Sequence, residues 1–149
     1  MPNEFVMRGQ TGSGLTEVLN FSGYKPGYAF RLVEFELWPS TNVGDAHYEM
    51  LATVTAAKTA VSPIDPDFKN EGLIGVAAIV FPSGVDQGGK GPMAVINDTF
   101  LITQDLILMV QDTQSGAPVN WQLRFVKEKI SGPEEAVANY KQYTISDGS

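Results

Sequence analysis

The clearest pattern in the chain is an alternation of apolar and polar positions with a period of two residues, which is the period of a β-strand. It is strongest over Tyr28–Trp38, where apolar side chains occupy both sides of the predicted strand. Both faces of this strand are therefore expected to be partly covered. Glu34 and Glu36 fall on the same side as Tyr28, so that side is expected to become solvated before Pro39 ends the strand.

The same alternation, or a short apolar run, predicts seven further strands. Leu73–Phe81 is apolar throughout, which favours a central strand covered on both sides. In the last predicted strand, Trp121 and Phe125 are expected to face inward, and Gln122 and Arg124 outward. The seven segments are Phe5–Arg8, Leu15–Phe21, His47–Thr55, Leu73–Phe81, Thr99–Thr103, Leu106–Val110 and Val119–Ile130.

Glycine and proline mark the connections between these strands. Ser62–Gly72 carries Pro63 and Pro66, which are incompatible with a regular element and indicate a long surface connection. Ser83–Pro92 contains four glycines and is predicted to be a mobile loop.

One helix is predicted near the end of the chain. Ser131 is followed three residues later by Glu134, with Pro133 between them, which is the sequence signature of a helix N-terminus. About two turns of helix are expected over Glu135–Gln142. Tyr143–Ser149 is expected to fray.

Together these elements predict one domain over residues 1–149, an all-β fold with one short C-terminal helix. Many short antiparallel strands with turn-rich connections favour a β-sandwich, and a jelly-roll order is the leading topology. Immunoglobulin-like wiring stays open, although the Cys…Trp…Cys mark of a true immunoglobulin domain is absent.

Charge and composition narrow the range of functions. The chain of 149 residues carries 17 acidic and 10 basic side chains, a net charge of −7, which opposes contact with nucleic-acid phosphates and anionic membranes. It has no cysteine, which excludes disulfides and thiolate metal sites. Met1–Glu4 lacks the basic start of a secretory signal, so no such signal is expected. Leu73–Phe81 is far shorter than the roughly 20 residues of a membrane span, so no membrane-spanning helix is expected.

The candidates for catalysis are weak. His47 is the single histidine, it lies in a strand pattern, and the chain has no G-x-S-x-G motif that would supply an activated serine. Glu34 and Glu36 lie roughly 7 Å apart on one side of a strand, a spacing that suits glycoside hydrolysis but equally a solvated strand end. The protein is therefore expected not to be an enzyme, and no catalytic residue is assigned.

The candidates for metal and cofactor binding are also weak. Asp65 and Asp67 could offer oxygen ligands to Ca²⁺, but Lys69 stands where a calcium loop would need a ligand, and the prolines nearby favour ordinary turns. Calcium binding by this loop stays an open question. The glycine-rich run with Lys90 is not a phosphate-binding loop, because Gly91 replaces the required Ser or Thr. No metal-binding or cofactor-binding residue is assigned.

Four aromatic residues suggest an alternative function. Tyr24, Tyr28, Trp38 and Tyr48 could form a platform for sugar stacking if several of them were exposed together. Packing in the core is the simpler interpretation of each. A carbohydrate-binding β-sandwich module that recognises surface glycans is therefore kept as the alternative.

Three segments carry a resemblance to known proteins. Asn97–Leu106, Pro118–Leu123 and the helix start Ser131–Ala136 resemble the small β-sandwich capsid or decoration proteins of bacterial viruses, over the C-terminal third of the chain. The resemblance implies a non-enzymatic virion structural protein, assembled in the host cytoplasm, whose partners are copies of itself and other virion proteins. It implies no functional residues, and it leaves shell and decoration roles equally open.

Overall fold

The computed structural model describes residues 3–21, 26–40, 48–57, 59–81 and 90–148. Within these ranges the chain forms eight strands and one helix. They are β1 (Glu4–Thr11), β2 (Thr16–Leu19), β3 (Tyr28–Pro39), β4 (Tyr48–Thr55), β5 (Leu73–Phe81), β6 (Lys90–Ile96), β7 (Leu106–Asp112), β8 (Val119–Lys129) and α1 (Gly132–Gly148).

The strands form two antiparallel sheets that pack against each other. The small sheet has the order β1-β8-β3, and the large sheet has the order β2-β7-β4-β5-β6. In an eight-stranded jelly roll the orders are 1-8-3-6 and 2-7-4-5. The predicted jelly-roll-like sandwich is thus confirmed, with one departure: β6 extends the large sheet beside β5 and does not flank β3.

The core lies between the inner faces of the two sheets. At one end, four aromatic rings pack together with centroid separations of 4.9–6.3 Å. These rings belong to Phe5, Phe21, Phe30 and Phe125. Further along, a side chain on Gly75 of β5 would come within 3.0 Å of Leu32, so glycine allows β3 to cross closely over β5.

A bulge at Val33 corrects the prediction for β3. Leu32 pairs with Phe125 and Glu34 with Arg124, so Val33 is an extra residue that shifts the alternation by one position. Phe30 and Leu32 before the bulge and Phe35 and Leu37 after it consequently all face the core. The prediction that these apolar residues divide between two faces was wrong, because all four lie on the core face, while the outer face carries the buried Ala29 and then Glu34, Glu36 and Trp38.

Two strand assignments also change. Thr99–Thr103 was predicted as a strand, but it forms only an isolated bridge in which Ile102 and Phe30 exchange backbone hydrogen bonds of 2.8 and 2.9 Å. Conversely, β6 begins at Lys90, inside the segment predicted to be a loop through Pro92. The connection over residues 62–72 lacks regular structure, as predicted.

The helix is longer than its sequence signature predicted. It has 17 residues and continues to Gly148. The prediction that the chain frays from Tyr143 onward was therefore wrong for the residues up to Gly148. Its start was predicted correctly: the Ser131 N–H donates to Glu134 Oε1 (3.1 Å), and the Glu134 N–H donates to Ser131 Oγ (3.2 Å). Glu135 accepts a hydrogen bond from the Gly27 N–H, which joins the helix to the sandwich.

Candidate functional site

Several residues considered for function lie outside the described residues or in the core. His47, Tyr24 and the glycine-rich segment 82–89 lie outside the described residues. Tyr48 is buried, so it cannot belong to a surface platform. Tyr28 is half-buried, and the Lys127 ammonium lies 4.2 Å from its ring centroid.

The acidic loop considered for calcium is a pair of local turns. The Lys69 N–H donates to Asp67 Oδ1 (2.9 Å), and the Gly72 N–H donates to Asn70 Oδ1 (2.9 Å). These bonds have the pattern of Asx turns, which is the turn chemistry expected for this segment. Among the described residues, no group of three or more His, Asp or Glu side chains is arranged to hold a metal ion.

The two carboxylates of β3 have different surroundings on the outer face of the small sheet. Glu34 Oε2 accepts a hydrogen bond from Arg124 Nε at 3.1 Å, and Glu4 approaches the same guanidinium at 3.9 Å. Glu36 lies in the next row of the sheet, where the strand pairing places it beside Gln122 and places Arg8 on the far side of Gln122. Glu34 is therefore an ion-pair residue, whereas Glu36 faces a groove.

We call this depression the Trp38 groove, and it crosses all three strands of the small sheet. Its volume is about 470 Å³. Trp38 lies at one side with 57% of its surface exposed, although it is one of the largest apolar side chains in the protein. The lining residues are Arg8, Gly9, Glu36, Leu37, Trp38, Asn120, Trp121 and Gln122.

The polar side chains of the groove fall into two groups. Asn120 is fixed, because its Oδ1 accepts from Gln10 Nε2 (2.9 Å) and its Nδ2 donates to the Pro39 carbonyl (3.3 Å). Arg8, Glu36 and Gln122 form no side-chain hydrogen bond or ion pair with any other residue that the structure describes. Their polar groups are therefore available to a bound molecule.

The outer face of the large sheet is mainly apolar, unlike that of the small sheet. We call it the apolar face and define it by Val18, Leu51, Val76, Met93, Val95, Ile107 and Met109, which all point away from the core. Val18 and Val95 are 65% and 58% exposed. Phe68 lines the same shallow groove as Val76 and Val95 and extends the apolar surface onto the loop before β5.

Sequence patterns indicated these two surfaces only in part. The alternation in β8 correctly placed Gln122 and Arg124 outward. Arg8 and Glu36 lie on either side of Gln122 because β1 and β3 both pair with β8. Short-range periodicity carries no information on which strands pair. Met93 and Val95 were missed because β6 begins in a glycine-rich segment.

No match was found when the chain was compared with protein-family models, with curated protein sequences and with solved structures. In the part of the chain that the structure describes, the helix lacks the long apolar stretch that crossing a membrane requires. The functional assignment therefore rests on the Trp38 groove and the apolar face.

Proposed function

We propose that this protein is a non-enzymatic structural subunit of a virion, either a capsid shell component or a decoration protein. It acts through contacts with copies of itself and with other virion proteins. The observation that supports this proposal most directly is the apolar face of the large sheet.

A sandwich that functions alone normally has polar residues on the outward positions of its strands. Here Leu51, Ala78 and Met93 form most of one cross-strand row, which ends in Gln111, and Val76 and Val95 form part of the next. Exposed apolar side chains grouped on one face are characteristic of a site that another molecule covers. Because the chain has a net charge of −7, general solubility is maintained while one face remains free to associate.

The middle of the apolar face is covered by the chain itself. The Thr53 hydroxyl donates to the Val61 carbonyl (2.6 Å), and the Val61 N–H donates to Thr55 Oγ1 (3.2 Å), so the loop before β5 lies over β4. The chain thus satisfies the polar groups of this face internally and leaves apolar side chains on both sides. This arrangement suits a face that packs against another protein.

Substitution of Val95 tests the proposal. Light scattering and electron microscopy of the concentrated protein are expected to show species larger than a monomer. Val95→Lys should weaken this association at least about tenfold, because it places a charge in a desolvated contact. Val137→Lys is the matched control, because Val137 is similarly exposed but lies on α1.

A strictly monomeric protein at high concentration would contradict self-assembly. Equal association of the two lysine variants would contradict a role for the apolar face. The genomic position gives a separate test, since genes for a portal, terminase or major capsid protein are expected beside the gene for this chain.

Carbohydrate binding is the second candidate function, and the exposure of Trp38 favours it. The two functions do not exclude each other, because the Trp38 groove and the apolar face lie on different sheets. A virion subunit that assembles through one sheet can present the other sheet to a glycan.

A further inference from the structure

The geometry points to the Trp38 groove as a saccharide-binding site. In this site the apolar face of a pyranose ring stacks on the indole of Trp38, and the ring hydroxyls bind Glu36, Gln122 and Arg8. The inference rests on the second candidate function, for which it specifies the site and its ligand contacts, and it does not depend on the proposed assembly role.

Trp38 gives the first line of support. Its indole is displayed on the outer face of the small sheet, whereas the other tryptophan, Trp121, is packed in the core with its Nε1 bonded to Thr11 Oγ1 at 2.9 Å. An exposed indole beside polar groups is suited to a ligand that is apolar on one side and polar at its rim. A pyranose ring has this character, because its C–H groups form a face and its hydroxyls form an edge.

The unpaired polar groups give the second line of support. Arg124 in the neighbouring row is engaged by Glu34 and Glu4, while Arg8, Gln122 and Glu36 across the groove have no partner among the described residues. A carboxylate only accepts hydrogen bonds, a guanidinium only donates them, and an amide does both. Adjacent sugar hydroxyls each donate and accept, so this set complements them.

The floor of the groove is rigid. A side chain on Gly9 would come within 2.8 Å of the Trp121 ring, so the backbone of β1 lies directly against this buried indole. Asn120 is held by Gln10 and by the Pro39 carbonyl. Groups on a fixed sheet lose little conformational freedom on binding, which favours affinity from few contacts.

Size and charge distinguish a saccharide from other ligands. About 470 Å³ lies in the range of small-molecule sites, and the groove is open along the sheet, which suits one ring within a longer glycan. Arg8 and Glu36 contribute opposite charges, and the net charge of −7 opposes phosphate groups. A nucleotide is therefore disfavoured although it could also stack on Trp38.

The test begins with the whole protein on an array of neutral, N-acetylated and uronic-acid-containing oligosaccharides. Each oligosaccharide that binds is then titrated in solution at up to about 1 mM while tryptophan emission and heat are recorded, a range suited to weak single-site binding. Trp38→Ala should weaken binding at least about tenfold, and Glu36→Gln and Gln122→Ala by a few fold each. Phe68→Ala is the matched control, because it removes a similarly exposed aromatic ring from the loop before β5, away from the Trp38 groove, and should leave binding unchanged.

Folding of each variant is checked by its thermal unfolding midpoint. If Trp38→Ala unfolds, Trp38→Phe and Glu36→Gln replace it, with a smaller loss expected for the phenylalanine variant. The inference is overturned if the protein binds none of the oligosaccharides at about 1 mM. It is also overturned if binding persists after the indole of Trp38 is removed. Binding of nucleoside monophosphates in place of oligosaccharides also overturns it. Self-association should be the same in Trp38→Ala and wild type. Failure of the saccharide-binding inference is therefore distinguishable from failure of the assembly proposal.

Discussion

Asp112 is a buried carboxylate that organises the turn between β7 and β8. It accepts hydrogen bonds from the N–H groups of Glu49 (3.2 Å), Gln114 (3.0 Å) and Ser115 (3.0 Å), and from the Ser115 hydroxyl. Burial raises the pKa of Asp112, but the hydrogen bonds from Ser115, Gln114 and Glu49 outweigh it, so the pKa lies below its usual value. The ionised side chain thus joins this turn to the start of β4.

Replacement of Asp112 by asparagine should lower the free energy of unfolding by about 1–3 kcal/mol at neutral pH, because one acceptor oxygen is replaced by an NH₂ donor. The pKa of Asp112 is lower in the folded protein than in the unfolded chain. The stabilisation that the ionised side chain gives the folded protein is therefore complete above the unfolded pKa of about 3.9, and it is lost as the pH falls through the pKa of the folded state. Urea unfolding at a series of pH values measures this. The difference between wild type and Asp112→Asn should shrink on acidification, and a difference that grew would contradict the assignment.

At the scale of secondary-structure elements, one segment shows burial without the hydrogen bonding of a strand. In the segment predicted as a strand over Thr99–Thr103, Phe100 and Ile102 alternate with more exposed residues and are buried. Yet only Ile102 bridges to Phe30, and the Asn97 side chain turns the chain by accepting from the N–H and hydroxyl of Thr99. Alternation reports which side chains face a core, whereas a strand also needs a neighbouring backbone.

The missed strand β6 has a different cause. Gly91 and Pro92 lie within it, and both normally argue against a strand. β6 is at the end of the large sheet, and its pairing with β5 is irregular between Ala78 and Val80. Proline is tolerated on an edge strand and at an irregular position, because an N–H bond to a neighbour is not required there. Sequence alone could not show that this segment would be at an edge.

The start of α1 allows a prediction at this scale. Ser131→Ala should destabilise the protein by about 0.5–2 kcal/mol, because the Glu134 N–H loses its side-chain acceptor. Chemical unfolding measures the global effect, and amide exchange within α1 measures the local one. In the double variant with Glu134→Ala the losses should be less than additive, since the two side chains bond reciprocally. Strict additivity would contradict cooperation between these two capping bonds.

At the scale of the whole molecule, the two outer faces differ in character. The small sheet displays Glu4, Glu34, Glu36, Arg8 and Arg124, whereas the large sheet displays mainly valine, leucine, isoleucine and methionine. The sequence predicted two layers and outward polar residues, but it could not show that polar and apolar outward residues would separate onto different sheets. That separation depends on strand order, which local patterns do not encode.

Salt dependence distinguishes an apolar contact from a charged one. Association through the apolar face should strengthen when NaCl is raised from about 20 to about 500 mM, because salt screens the repulsion between subunits of like charge. Sedimentation velocity measures the change. A contact built from ion pairs would weaken over the same range, and that result would direct attention to the small sheet.

The bulge at Val33 decides which side chains the second half of β3 presents to the surroundings. If Val33 were part of an unbroken alternation, Phe35 and Leu37 would face the solvent. The carboxylates of Glu34 and Glu36 and the indole of Trp38 would then face the core. Deletion of the Val33 codon would therefore remove the bulge and keep Phe35 and Leu37 on the same face as Leu32, so the middle of β3 should tolerate the loss of this one residue.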